Sequence, residues 1–258
     1  MIYSIKFGKM KVFLRSEAIA DYWVFEGLLF ADEYYPVRPT KDDIVLDVGA
    51  NIGIFTLNVA KRVKNVISIE PEPRNFSILS KNITDNDLSN VTLLNLAASD
   101  KEEIVYFQST GGTAQVSNTG IPVKGKPLDS ILAELGNPKV TIMKMDIEGY
   151  ESKVLSTFHK YDSIKQIVIE THSKKLTEEV TNILSKWGFS IVDISRIKRS
   201  RAIKNILLHP FAFFSAERHN RYATLKQTFK YLIFHDYSPV ASDNPNSEQR
   251  LLYAVRQK

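Results

Sequence analysis

The run DVGANIG, residues 47–53, joins a short β-branched segment, IVLDVG (44–49), to a segment with helical apolar spacing, NIGIFTLNVAKRV (51–63). A strand that ends in glycine and turns directly into a helix is the first half of a βαβ unit. The alternation continues downstream. NVISIE (65–70) reads as a buried strand, RNFSILSKNITDN (74–86) as a helix and NVTLLNLA (90–97) as a third strand. Three strands and two helices within about 55 residues predict a doubly wound α/β fold on a mostly parallel sheet.

Working outward, PVRPTKDD (36–43) is a polar connection, EAIADYWVFEGLLFA (17–31) has amphipathic helical spacing, and residues 2–15 alternate about Gly8-Lys9 as a β-hairpin. Toward the other end, short β runs surround Gly111-Gly112 and LDSILAEL (128–135) is a short helix. VTIMKMDIE (140–148) and QIVIE (166–170) are buried strands, and KKLTEEVTNILSKWG (174–188) is a helix closed by Gly188. FSIVDIS (189–195) and RLLYAVRQ (250–257) complete seven core strands. One domain follows: hairpin and helix at 1–40, core at 41–195, an insertion at 196–247 and the last strand at 248–258.

The loop at 47–53 also predicts the ligand. Open parallel sheets bind ligands at the carboxyl ends of their strands. Gly49 and Gly53 permit a tight turn and close approach, and the helix opening near Asn51 offers N–H groups without intrahelical partners. A dinucleotide loop reads G-x-G-x-x-G over a pyrophosphate. Here Asp47 precedes the glycines, which suits a cationic ligand and repels a phosphate. S-adenosylmethionine carries an ammonium and a sulfonium, and Asp47 is expected to face its methionine end, directly or through water. Glu70 ends the next strand, 23 residues on, where a carboxylate can accept both ribose hydroxyls.

DVGANIG (47–53), IEPEP (69–73), LAASD (96–100), PLDS (127–130), KMDIEGYE (144–151) and IETH (169–172) occur in that order. In this the chain resembles the FkbM-type methyltransferases over about residues 30–172. The resemblance implies a class I methyltransferase core using S-adenosylmethionine, and O-methylation of a hydroxyl on a sugar, glycolipid or natural product. It implies that Asp47, Gly49, Ala50, Asn51 and Gly53 hold the methionine moiety and that Glu70 holds the ribose, with Pro71 shaping the turn. Residues 95–98, including Asn95, Ala97 and Ala98, would lie beside the adenine. Glu33-Tyr34 resembles the family's segment that closes over the cofactor. Residues 196–247 match nothing in the family pattern.

Methyl transfer to a hydroxyl needs alignment of the acceptor and removal of its proton. Asp146 and Glu148 are expected at the end of the strand beside the first one, and Glu170 and His172 at the end of the next. Residues two apart on a strand face one side, so Asp146 pairs with Glu148 and Glu170 with His172. His172 or Asp146 is the expected general base, with Glu148 beside them as a third catalytic candidate. A plainer role for Asp146 and Glu148 is capping of a helix starting near Gly149. Such a rim can also form an oxygen-rich divalent-metal site, as in catechol-type methyltransferases. The spacing does not require one, and no metal is expected.

Composition sets the remaining bounds. The chain has 258 residues, 43% hydrophobic and 24% charged, with net charge +5 and no cysteine. That excludes disulfides and thiolate metal sites. No apolar run is long enough for a membrane span, and the N-terminal stretch lacks a signal-peptide pattern, so a cytoplasmic location is expected. The sequons at Asn75 and Asn82 are read as chance. RIKRSRAIK (196–204) holds five basic residues and no acid, and aromatics follow to residue 234. Its plain reading is a helical cap with a solvated basic face. The sharper ones are a cleft for an anionic small-molecule or glycan acceptor, peripheral contact with anionic lipid, and RNA binding. An RNA methyltransferase, or a nucleotide-binding module without methyl transfer, is the alternative function. The hairpin edge is a candidate dimer contact; the sequence sets no oligomeric state.

Overall fold

The computed structural model describes residues 1–30, 32–110, 113–117, 119–195, 199–212, 215 and 248–256. The core strands are β3 (Ile44–Val48), β4 (Asn65–Ile69), β5 (Val91–Leu94), β10 (Ile142–Met145), β11 (Gln166–Thr171), β12 (Phe189–Asp193) and β13 (Arg250–Arg256). They form one sheet in the order β12-β13-β11-β10-β3-β4-β5. β13 runs antiparallel to both neighbours, and the other pairings are parallel. The expected doubly wound, mostly parallel seven-stranded sheet is the observed one.

Its strands are nearly continuous apolar runs because both faces are covered. Alternation sorts β3 between the two cores. Val45 joins α2 (Ile54–Ala60) and α3 (Pro73–Thr84) on one face. Leu46 and Val48 join α4 (Leu128–Glu134), α5 (Glu151–Ser156) and α6 (Lys174–Lys186) on the other. Among the described residues no helix is long and apolar enough to cross a membrane.

The N-terminal hairpin is present as β1 (Ile2–Phe7) and β2 (Met10–Arg15). The helix expected at 17–31 is α1 (Ile19–Phe25), which widens into a π-helical turn at Glu26–Phe30. The hairpin is tied to α3 by two asparagines one helical turn apart. Asn82 accepts from Phe13 N at 2.7 Å and donates to Phe13 O and Ile52 O; Asn86 accepts from Lys11 N at 2.9 Å and donates to Lys11 O. These amides occupy the free edge of β2, so that edge is closed by the chain itself rather than open to a second copy. Asn82 and Asn75 are both buried with their side chains bonded, so neither sequon presents a free amide at the surface of the fold.

Two expected strands end early. NVTLLNLA divides at Asn95: β5 stops at Leu94, and β6 (Ala97–Ala98) joins a second sheet. That sheet runs β6-β9-β7-β8, with β7 (Glu103–Thr110), β8 (Thr113–Ser117) and β9 (Ile121–Lys126). β10 stops at Met145, so Asp146 and Glu148 lie on the turn beyond it. Between β12 and β13 the chain forms α7 (Arg199–Leu208). Most of the remaining basic and aromatic segment falls outside the described residues.

Candidate active site

The turn after β3 is built on a buried charge pair. Asp47 has Lys144 of β10 and Ser68 of β4 as its cross-strand neighbours. It is fully buried, and its Oδ2 accepts from Thr56 Oγ1 at 2.6 Å, which in turn pairs with Ser68 Oγ at 2.7 Å. Lys144 Nζ lies 3.5 Å from Asp47 Oδ1 and donates to Gly49 O at 2.5 Å. The lysine thus clamps the turn from below. Burial works against its charge, but Asp47, Asp146, Glu170 and Glu70 surround it and raise its pKa.

Gly49 and Ala50 both donate their N–H to Ile69 O at 2.9 Å, drawing the turn against the end of β4. Gly49 has φ +76°, and a Cβ there would come 1.7 Å from Asp146 O. Gly49→Ala is therefore expected to abolish soluble, folded protein, because backbone rather than a flexible side chain fills the space. Normal expression and an unchanged melting point would refute this. Gly53 precedes α2 with φ +83° and packs against Leu79. α2 begins at Ile54 rather than near Asn51, and Asn51 N is not free: it donates to Glu70 Oε2 at 2.8 Å. Asn51 Oδ1 is buried without a hydrogen-bond partner among the described residues.

Glu70 is buried and also accepts from Glu72 N at 2.9 Å and Asn75 Nδ2 at 3.4 Å. Burial pushes its pKa up to about 7, against the opposing pull of these donors. Asn95 is exposed, and its amide donates to Glu70 O and Pro71 O, fixing the turn after β4. Gly49, Asn51, Glu70, Pro71, Ala97, Ala98, Asp146 and Glu148 line one cleft. Its apolar walls are completed by Ile69, Val105, Phe107, Ile147 and Tyr150.

The acidic rim lies just past β10 and β11. Asp146 and Glu148 face the cleft; His172 stands behind both, with Nε2 3.3 Å from Asp146 Oδ1 and Nδ1 3.8 Å from Glu148 Oε2. The pairing therefore runs between the strands' ends and not along each strand. Burial alone would lower the His172 pKa. The bond to Asp146 and the charges of Asp146, Glu170 and Glu148 outweigh it and hold the pKa at about 10. Asp146 stays low despite burial because His172 and Lys144 favour its charge. Burial, then the Asp146 charge, raises Glu148 to about 7. Glu170 is raised well above the carboxylate range, also by burial first, and accepts a bond from Gln249. Glu151, not Asp146 or Glu148, takes the helix-start role: its carboxylate accepts from Ile147 N and Gly149 N.

Tyr34 packs edge-on against Phe55, with ring centroids 5.3 Å apart. Burial and the charges of Glu170, Asp146, Glu33 and Asp47 push its hydroxyl pKa up. It therefore stands at the acidic end, and its ring lines a neighbouring cavity with Arg38 and Arg62. Sequence reading missed Lys144, Thr56, Val105, Phe107 and Tyr150. A lone lysine in the apolar run of β10 was the available signal for Lys144. For Phe107 it was the in–out alternation of β7. Asp146, Glu151 and His172 also offer one donor atom each within 4.8 Å, a set able to hold a cation.

The family model described as the methyltransferase FkbM domain matches residues 47–191. The hexuronic acid methyltransferase AglP of Haloferax volcanii is 28% identical over 165 residues, 62% of this chain and 68% of that one. The 31-O-demethyl-FK506 methyltransferase FkbM of Streptomyces tacrolimicus is 27% identical over 208 residues, covering 64% and 80%. A crystal structure of methyltransferase FkbM from Methylobacillus flagellatus aligns with TM-score 0.49 and 22% identity, over 65% of this chain and 44% of that one. The match spans more than half of the chain and takes in both the turn after β3 and the acidic rim: the protein belongs to the FkbM methyltransferase family and is an S-adenosylmethionine-dependent methyltransferase.

Proposed function

We propose that the protein O-methylates a hydroxyl of a sugar, glycolipid or related natural product, with Glu148 as the general base. The observation that carries this reading is a cleft-facing carboxylate with a pKa of about 7. A general base works best when its pKa lies near the operating pH. The names of two relatives, a hexuronic acid methyltransferase and a 31-O-demethyl-FK506 methyltransferase, support an oxygen acceptor on a sugar or natural product.

The residues present fit the cofactor. Buried Asn51 Oδ1 lacks a partner and suits the ammonium. Glu70 suits the ribose hydroxyls, and the apolar walls formed by Ala98, Phe107 and Tyr150 suit a flat base. Asp47 is fully enclosed, so its part is to hold Lys144 and Thr56 beneath the turn. When bound, the cofactor supplies a methyl group on a positively charged sulfur. Glu148 would take the proton of the acceptor hydroxyl as its oxygen bonds to the methyl carbon; the carbon–sulfur bond would break in the same displacement, its electron pair staying on the sulfur, which becomes a neutral thioether. Asp146 remains ionised at the same rim. His172, as a cation between Asp146 and Glu148, positions both carboxylates.

Cofactor binding is tested by thermal unfolding with S-adenosylhomocysteine. Ligand at 100 times its dissociation constant stabilises by about 2.7 kcal/mol, a shift of a few degrees. Glu70 adds a pH signature. Its folded pKa lies above the ordinary 4.5, so the stability it contributes is present below that value and lost as pH rises through about 7. Binding that uses the ionised form should strengthen over the same window, by up to about tenfold per pH unit. Glu70→Gln should flatten this dependence; no thermal shift in the wild type would remove the cofactor assignment of this cleft.

Metal-free chemistry is expected. Glu151, one of the three candidate donors, already accepts from two backbone amides. Activity should survive EDTA; loss restored by magnesium would place a cation at Asp146, Glu151 and His172.

A further inference from the structure

α7 turns its apolar side outward. At about 100° per residue, Asn205, Ile206, His209 and Ala212 share the inner arc. Asn205 Nδ2 donates to Leu29 O at 3.2 Å, the His209 ring lies 4.1 Å from that of Phe7, and Ile206 packs on the core. Ala212 is 3% exposed. His209 N donates to Asn205 O at 2.9 Å and closes the end of α7; the helix breaks at His209, and Phe211 lies in the short helical stretch beyond it. The outer arc holds Ile203, Leu207 and Leu208, which are 43%, 74% and 60% exposed, and Phe211, just past the helix, is 89% exposed. Large apolar residues grouped on one exposed face mark a contact surface rather than scattered surface apolarity.

The charge beside this face indicates its partner. Lys204 is exposed within the arc. The sequence of α7 itself opens with two further basic residues, Arg199 and Arg201. Arg196 and Lys198 precede them, and the sequence has no acidic residue between Asp193 and Glu217. An exposed apolar arc on a helix whose sequence is rich in basic and free of acidic residues is the pattern of a helix that lies in the interface of an anionic bilayer. Its apolar side chains enter the acyl boundary and its cations stay at the headgroups.

We infer that α7 and the residues up to Phe211 form a peripheral docking surface for anionic lipid membranes. α7 packs against the π-helical turn at Glu26–Phe30, which leads into the segment carrying Tyr34, so docking would bring the lipid surface to the side of the chain that borders the acidic rim. The inference is independent of which acceptor is methylated.

The test is co-sedimentation of the full chain with vesicles of phosphatidylcholine alone and of phosphatidylcholine mixed with phosphatidylglycerol. Binding is expected only to the anionic vesicles. Leu207→Asp with Phe211→Asp should reduce partitioning more than tenfold, about the effect of removing two apolar anchors. Lys204→Ala should reduce it about fivefold, the share of one basic residue near the surface. Both proteins should keep the wild-type melting point. Absence of binding to anionic vesicles, or binding unchanged by the double substitution, would overturn the inference. So would a lowered melting point in the double variant, since the chain itself would then cover the face. A smaller oligomer would assign the face to a second copy, and loss of RNA co-sedimentation without loss of lipid binding would assign it to nucleic acid.

Discussion

Glu148→Gln is expected to slow methyl transfer by about 10²–10⁴-fold while leaving affinity for S-adenosylhomocysteine unchanged. Glutamine keeps the shape of the side chain and can still accept a hydrogen bond, but it cannot take the acceptor's proton. The wild-type pH profile should rise through about 7, because the base works in its ionised form and burial beside Asp146 sets its pKa there. That limb should vanish in the variant. His172→Gln gives the matching positioning test. Removing the cation between Asp146 and Glu148 raises the carboxylate pKa values, so the limb should move to higher pH rather than disappear. A flat wild-type profile, or a Glu148→Gln enzyme of near-normal turnover, would return the base to Asp146 or His172.

Lys144→Met should be strongly destabilising. It leaves Asp47, fully buried, without the cation 3.5 Å away. Breaking a buried pair by removing one partner costs about 3–5 kcal/mol, which lowers the melting point of a chain this size by on the order of 10 °C. Asp47 already has a raised pKa from burial, held down in part by Lys144. Without the lysine it should take up a proton on folding. Its stabilising contribution is then present at low pH and lost as pH rises, so the deficit should grow with pH. Adding Asp47→Asn should recover much of the loss, since the stranded charge is gone. Thermal unfolding of the single and double variants measures this. A single variant within about 1 kcal/mol of wild type would mean that the pair does not hold the turn.

Much of this was legible from local pattern. DVGANIG set the strand, the turn and the helix because glycines and a β-branched run act over a few residues. Glu70 was found by its place at the next strand's end. The misses have non-local causes. Asp146 and Glu148 were read as strand residues two apart, but the strand ends at Met145 and Glu148 adopts a left-handed φ of 56°. That turns the pairing toward His172. Phe107 stands on β7, which is carried to the cleft through β9 and its pairing with the two-residue strand β6, 28 residues earlier in sequence, a contact that periodicity does not reveal. Lys144 looked like an interruption in an apolar strand and is instead the partner of a residue on the strand alongside it.

β13 is made after every other core strand, yet it lies inside the sheet, between β11 and β12. During synthesis the nascent chain therefore holds an incomplete sheet with the edge of β11 open. Gln249, which bonds Glu170 at the rim, is made just ahead of β13. Completion of the acidic rim therefore waits for β13 to be made, and a nascent chain that reaches only β12 exposes an apolar strand edge of the kind that recruits chaperones.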